Sequence, residues 1–231
     1  MKVNFSHFAI AVASIAISSA PVSGKNKSDK GHIQLKIFGT YVTANDKIKS
    51  IGDPNNLIGT VNIVGARSKV TDNIVPTIAV EYFLTNSISF ETICCTTEHT
   101  VNGDGTLAGT NLASNIKILP ATLTVKYHFP LKFIKPYIGV GPSYFFFIGE
   151  KPGATAVALG ASRNAINDKF GVALQGGFDV PLNSKFFFST DVKKVFLTTT
   201  SRWYDPSGAE VLNARVALDP WVISAGFGIR F

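Results

Sequence analysis

This chain has little charge, little sulfur and no long apolar run. Asp, Glu, Lys and Arg make up 16% of its 231 residues. No stretch reaches the roughly eighteen apolar residues of a membrane-spanning helix, which excludes a helical membrane protein. A transmembrane β-barrel escapes that test, because its inward polar residues dilute every strand. The formal charge is +7, but the basic residues are scattered and form no cluster or nucleic-acid motif, so a nucleic-acid partner is excluded. They read as loop and rim charges, some facing anionic lipid headgroups. The only cysteines are the neighbours Cys94 and Cys95. Adjacent strand residues point to opposite faces, so a bond between them would be strained. Only His99 lies near enough to join them on a metal, so no metal site is expected. The pair reads as structural or incidental, with an intermolecular disulfide as the alternative. A hydrolase would need a nucleophile, a base and an orienting acid. His128 is followed by Phe129 and Pro130 with no serine two residues on, and His99 falls in a loop. Neither an enzyme nor a cofactor is expected.

Phenylalanine, by contrast, is abundant, at 18 residues. The N-terminus has the form of a secretory signal: Lys2 and His7, an apolar stretch from Phe8 to Ile17, then small residues. Pro21 disfavours cleavage after Ala20, so cleavage is expected after Gly24. Residues 1–24 are then the signal peptide, 25–31 a polar mature N-terminus, and 32–231 the folded part.

The last eleven residues, Trp221 to Phe231, alternate. Trp221, Ile223, Ala225, Phe227, Ile229 and Phe231 share one face, and Val222, Ser224, Gly226, Gly228 and Arg230 the other. A soluble domain usually ends in a frayed polar tail. A terminal Phe on an apolar face suits a barrel, whose last strand must close on its first. Seven further alternating segments precede it, near 32–41, 75–84, 87–94, 116–129, 135–147, 169–180 and 185–197. The connections alternate in length: long at 42–74, 95–115, 148–166 and 198–217, tight at Thr85–Asn86, Pro130–Ile134 and Pro181–Ser184. In an eight-stranded antiparallel up-and-down barrel this places every tight turn at one end and every long loop at the other. That is the sorting of periplasmic turns and outer loops in an all-β outer-membrane barrel. Aromatic residues fall into two bands. Tyr82, Tyr127, Phe129, Phe178, Phe186, Phe188 and Phe231 lie near the tight turns, and Tyr41, Tyr144, Phe146 and Trp221 near the long loops, matching the two interfaces of a bilayer.

The inward faces divide by height. Lys36, Glu81, Glu91, Lys126, His128, Asp179, Asp191 and Arg230 lie toward the tight turns. Phe38, Ile118, Pro120, Phe145, Val195 and Val222 lie toward the long loops. A barrel of this size is filled by side chains or holds one small ligand, and buried charges need partners. The charged set therefore reads as a salt-bridged floor, with a selective charged pore as the alternative. The apolar set forms a funnel suited to a small hydrophobic molecule. Pro120 and Pro142 lie within wall strands, where each removes a ladder hydrogen bond. They mark either a sideways opening into lipid or a kink near the rim.

Four pieces of the chain, in order, resemble the OmpW (outer membrane protein W) family of Gram-negative bacteria. Leu119-Pro120-Ala121-Thr122 with Tyr127-His128-Phe129 is similar to that family's LPPT…YF strand. Lys135 to Gly141 (KPYIGVG) is similar to its RPYVGAG strand, and Gly171 to Asp179 to its G-x-A-x-Q-x-G-x-D strand. Leu218-Asp219-Pro220-Trp221 with the Gly-x-Arg-Phe-like tail resembles its closing strand. Ala121 stands where the family has a second proline, and Cys94-Cys95 is outside its pattern. The segment with Gly226, Ile229 and Phe231 also resembles the signal read by the barrel assembly machinery. The resemblance implies an outer-membrane location and an apolar channel for small hydrophobic solutes. A structural or adhesive barrel whose outer loops bind partners is the other reading.

Overall fold

The computed structural model describes residues 28–43, 47–53, 66–131 and 133–231. The expected signal segment, 1–24, lies outside the described residues. In chain order the elements are β1 (Ile33–Thr43), β2 (Lys47–Gly52), β3 (Ala66–Val70), β4 (Asn73–Phe83), β5 (Ile88–Cys94), β6 (Thr97–Gly105), β7 (Asn111–His128), β8 (Lys135–Ile148), β9 (Lys151–Pro152), α1 (Ala154–Ala158), β10 (Arg163–Ile166), β11 (Lys169–Pro181), β12 (Phe186–Phe196), β13 (Thr198–Tyr204), β14 (Glu210–Ala217) and β15 (Trp221–Arg230).

Eight of these, β1, β4, β5, β7, β8, β11, β12 and β15, form a closed wall. Each pairs antiparallel with the next in that order, and β15 returns to β1 over ten residue pairs, from Gln34↔Arg230 to Thr43↔Trp221. Closure pairs every wall strand on both sides and leaves no free sheet edge, the condition for a sheet to stand in hydrocarbon. Side chains alternate as expected. In β1, Gln34, Lys36, Phe38, Thr40 and Val42 are buried inward, while Ile37 and Tyr41 are exposed on the outer face. Ile74, Ile138, Phe170, Phe227 and many other large apolar residues are exposed on that same outer surface, an area that water would penalise and lipid does not.

Two of the tight turns are pinned by their own side chains. Thr85 Oγ1 accepts from the N–H groups of Ser87 and Ile88, at 3.2 and 2.9 Å, and Asn183 Oδ1 accepts from Lys185 and Phe186, at 2.9 and 2.8 Å. Both are local turn devices of Thr and Asn.

At the other end the expected loops are largely sheet. β7 runs on above the wall, where it pairs with β6, and β6 pairs with β3. A separate four-stranded sheet has the order β10-β13-β14-β2. Trp203 on β13 packs with Ala156, Ala161, Val211 and Ala214 and donates its indole N–H to Leu112 O at 3.1 Å. The strand β2 finds its partner β14 from the far end of the chain. Such strands owe their form to pairing across the fold more than to their own residues, so their local pattern reads as loop.

At Gly226 the closing seam has no room between backbones. A Cβ on Gly226 would lie 1.9 Å from the Ile37 carbonyl oxygen and 2.8 Å from Phe38 Cα. On the same seam, Gly39 has nothing nearer than 4.0 Å. We expect Gly226→Val to cut the yield of folded barrel severely and Gly39→Ala to leave it close to the parent. The band shift between heated and unheated samples on a denaturing gel measures both.

Candidate functional site

Inside the wall, the lower and middle lumen is a packed ionic network. Lys36 Nζ lies 2.6 Å from Glu81, 3.3 Å from Glu91 and 3.6 Å from Asp179. Lys126 Nζ reaches Glu81 at 3.1 Å and Glu91 at 2.9 Å, and Lys193 Nζ reaches Glu91 at 3.2 Å and Asp191 at 2.5 Å. Gln175 donates to both Glu91 and Asp191, at 2.7 and 2.6 Å. Tyr137 lies among them, its hydroxyl donating to Asp191 at 2.9 Å and its ring centre 3.6 Å from Lys126 Nζ. All these side chains are buried. They come from β1, β4, β5, β7, β8, β11 and β12, so the network ties nearly the whole wall together from within.

The network also answers whether a hydrolytic centre is hidden here. His128 Nε2 lies 2.7 Å from Glu81 and 2.9 Å from Ser89 Oγ. Ser89 commits its own hydroxyl proton to Glu81. Serine and carboxylate therefore share one ring nitrogen, while Nδ1 has no partner among the described residues. A triad needs the acid on the opposite nitrogen and a reachable serine, and Ser89 is fully buried.

Below the floor a second cluster closes the periplasmic end. Asp29, from the N-terminal segment, lies 3.0 Å from Arg230 Nη1 and 2.6 Å from Lys135 Nζ. His32 Nδ1 is 2.6 Å from the Phe231 carbonyl oxygen. Arg230 thus faces inward as expected, but it joins Asp29 and Lys135 rather than the main network.

Above the floor the lining changes. A cavity of about 670 Å³, counted out to its openings, has walls that include Val42, Ile93, Cys95, Phe145, Val195 and Val222, with Thr122 and Lys193 at its base. A second space of about 630 Å³ continues into the outer extension between Leu112, Phe147, Ile166, Trp203 and Val216. Val70, His99, Ile118 and Leu218 line both, so the two spaces meet there. Among the apolar residues expected here, Ile118, Pro120, Phe145, Val195 and Val222 line the lower cavity. Phe38 is buried inside the wall without lining it. Lys193, Gln175, Tyr137 and Asp29 were missing from the expected floor. The first three lie at inward positions of their strands, so strand parity could have found them. Asp29 precedes the barrel and carries no such signal. Cys94 and Cys95 are free thiols, one exposed and the other buried, on opposite faces as expected.

A closed eight-stranded wall, an apolar outer belt and a polar, ion-paired interior define a transmembrane β-barrel of the outer-membrane kind. The OmpW family pattern matches residues 29–231, and the chain belongs to the OmpW family. Its place is the outer membrane of a Gram-negative cell, in contact with lipid. It is 29% identical to the outer-membrane protein y4mB of Sinorhizobium fredii, over 97% of this chain and 92% of that one. It is 34% identical to the dibenzothiophene metabolism operon protein PahQ of Pseudomonas aeruginosa, over 57% of this chain and 58% of that one. Among solved structures it is similar to OprG of Pseudomonas aeruginosa, with a TM-score of 0.76 and 26% identity, over 87% of this chain and 96% of that one.

Two outcomes follow for the lumen. Removing one partner from a buried ionic cluster costs about 3–5 kcal/mol. Lys36→Met, which strips Glu81, Glu91 and Asp179 of a shared cation, should lose about that much in urea unfolding from detergent micelles. His99 lies on β6, above the membrane wall. Burial holds its imidazole below the ordinary histidine range, against the opposing pull of its hydrogen bond to Thr71 and of Asp72. Its contribution to stability is therefore present above pH about 6.5 and lost as pH falls through the lowered value. The stability difference between the parent and His99→Phe should shrink between pH 7.5 and pH 5, and a difference constant across that range would contradict it.

Proposed function

We propose that this barrel passes small hydrophobic molecules from the cell exterior into the membrane, without opening a water channel. One observation carries the reading: an apolar cavity stands directly on a floor that is sealed by ion pairs. A molecule entering from outside meets apolar walls down to Thr122 and Lys193, and then a network with no way through. Apolar solutes gain about 25 cal/mol per Å² on leaving water. The bilayer core offers the same gain, so the cavity has no need to hold its guest tightly. Its use is to carry the guest past the polar headgroup layer.

A sideways exit is then required, and the wall has a weak place beside the cavity. β5 pairs with β7 up to Ile93↔Thr122, and β6 resumes at Thr97↔Ile118 in the same register. Between them Cys94, Cys95 and Thr96 have no ladder partners on β7, opposite Leu119, Pro120 and Ala121. Pro120 has no N–H to offer, and Cys95 and Pro120 both line the cavity. Pro142 has a different effect. The ladder between β7 and β8 lapses beside it, but the strands are pressed together there, since a Cβ on Gly141 would lie 1.9 Å from Leu123 O. Of the two prolines, Pro120 is the one at the exit. The relative PahQ, named for a dibenzothiophene metabolism operon, adds an apolar aromatic compound to the kinds of molecule that suit this reading.

In liposomes, uptake of a small apolar dye should proceed with little single-channel conductance. Val222→Arg and Phe145→Glu, each placing a charge in the cavity, should reduce dye uptake at least tenfold while the barrel stays folded. Pro120→Thr, which restores a ladder donor, should slow it several-fold. A folded parent barrel that moves no dye would leave the structural or adhesive reading.

A further inference from the structure

The two apolar spaces meet at a histidine with a spare nitrogen. His99 is buried, and its Nδ1 lies 2.6 Å from the Thr71 carbonyl oxygen. A carbonyl only accepts, so Nδ1 is the ring nitrogen that carries the proton, and in the neutral ring Nε2 presents a lone pair. Among the described residues that nitrogen has no hydrogen-bond partner. Further up the same passage the Ser68 hydroxyl is buried and, among the described residues, unpartnered. Ser68 stands opposite Gly103 of β6, on the outer side of His99. Several other polar side chains of the lining are engaged: Thr122 with Ser143, Thr199 with the Asn167 carbonyl, Ser201 with Asn164, and Lys193 with Glu91 and Asp191. Buried polar groups are normally hydrogen-bonded, and an orphan needs a reason.

We propose that His99 Nε2 is the acceptor of a binding site for small hydrophobic molecules bearing a single hydroxyl, such as phenols and apolar alcohols, with Ser68 as a second station above it. The proposal rests on the reading of the cavity as a place for apolar guests and names which of them it prefers. The apolar body of such a molecule fills the space beside Ile118, Val70 and Leu218, while its O–H points to Nε2. A guest without the hydroxyl can fill the same space but leaves Nε2 unpaired. One net hydrogen bond corresponds to about tenfold in affinity, so the hydroxylated guest should bind about tenfold tighter than its parent hydrocarbon.

The matched probes are 1-naphthol and naphthalene, titrated into the full barrel in bicelles at pH 7.5 with histidine labelled in nitrogen-15. 1-Naphthol should move the His99 Nε2 resonance along a saturating curve, while naphthalene binds more weakly and moves it little. The His128 signal, from a nitrogen held by Glu81 within the sealed floor, should stay in place. His99→Leu should lower the ratio of 1-naphthol to naphthalene affinity about tenfold, and His99→Gln, which keeps an acceptor oxygen, should restore part of it. Ser68→Ala supplies a milder second variant and should lower the same ratio by a few-fold. An affinity ratio unchanged in His99→Leu, or 1-naphthol binding that leaves Nε2 unmoved, overturns the hydroxyl site alone. Failure of the parent to bind either probe overturns both the site and the apolar-passage reading.

Discussion

Everything in this molecule follows from one condition: a strand in hydrocarbon cannot leave its backbone groups unpaired. The pairing of β15 with β1 meets that condition, and the rest of the architecture is arranged around it. Because the wall must close, every wall strand has one face toward lipid and one toward the lumen. Because the closed wall is narrow, the lumen has to be filled by the protein's own side chains or by a guest. The lower part is filled by lysines and carboxylates that satisfy one another. The upper part is left apolar and open.

The boundary between these two fillings is sharp, and Lys193 marks it. Its ammonium belongs to the floor, through Glu91 and Asp191, yet it also forms the base of the cavity. A charge so placed is tolerated because its partners lie below it. The same network that ties the wall together also fills the lumen below the hydrophobic space. Under the proposed function, stability and selectivity are therefore not separate tasks of separate residues. In the proposed reading, the floor that ties the barrel together also turns an apolar guest sideways, toward the lapse at Pro120.

Much of this was legible in advance. Alternation along β1, β4, β5, β7, β8, β11, β12 and β15 is a one-dimensional pattern, so the count of wall strands and their faces could be read without coordinates, while Lys193, Gln175 and Tyr137 of the ionic network were not singled out. The sorting of tight turns from long connections was legible for the same reason. The outer extension was not. β2 and β14 pair across most of the chain's length, and neither carries an alternation strong enough to announce a strand. Asp29 was hidden because it acts from outside the alternating region, folding back to Arg230 and Lys135. His99 fell in what reads as a loop, and its position between two cavities depends on β6 lying against β3 and β7.

The sequence by itself determined that a barrel forms, where its lipid face lies, and that its interior is charged below and apolar above. Each of these depends on side-chain type at a period of two. The tertiary structure decided which charge meets which, where the ladder lapses, which proline lies at the lapse, and which buried atoms are left without a partner. Those are relations between strands. They depend on register and on the close approach of particular backbones, and no single strand's pattern contains them.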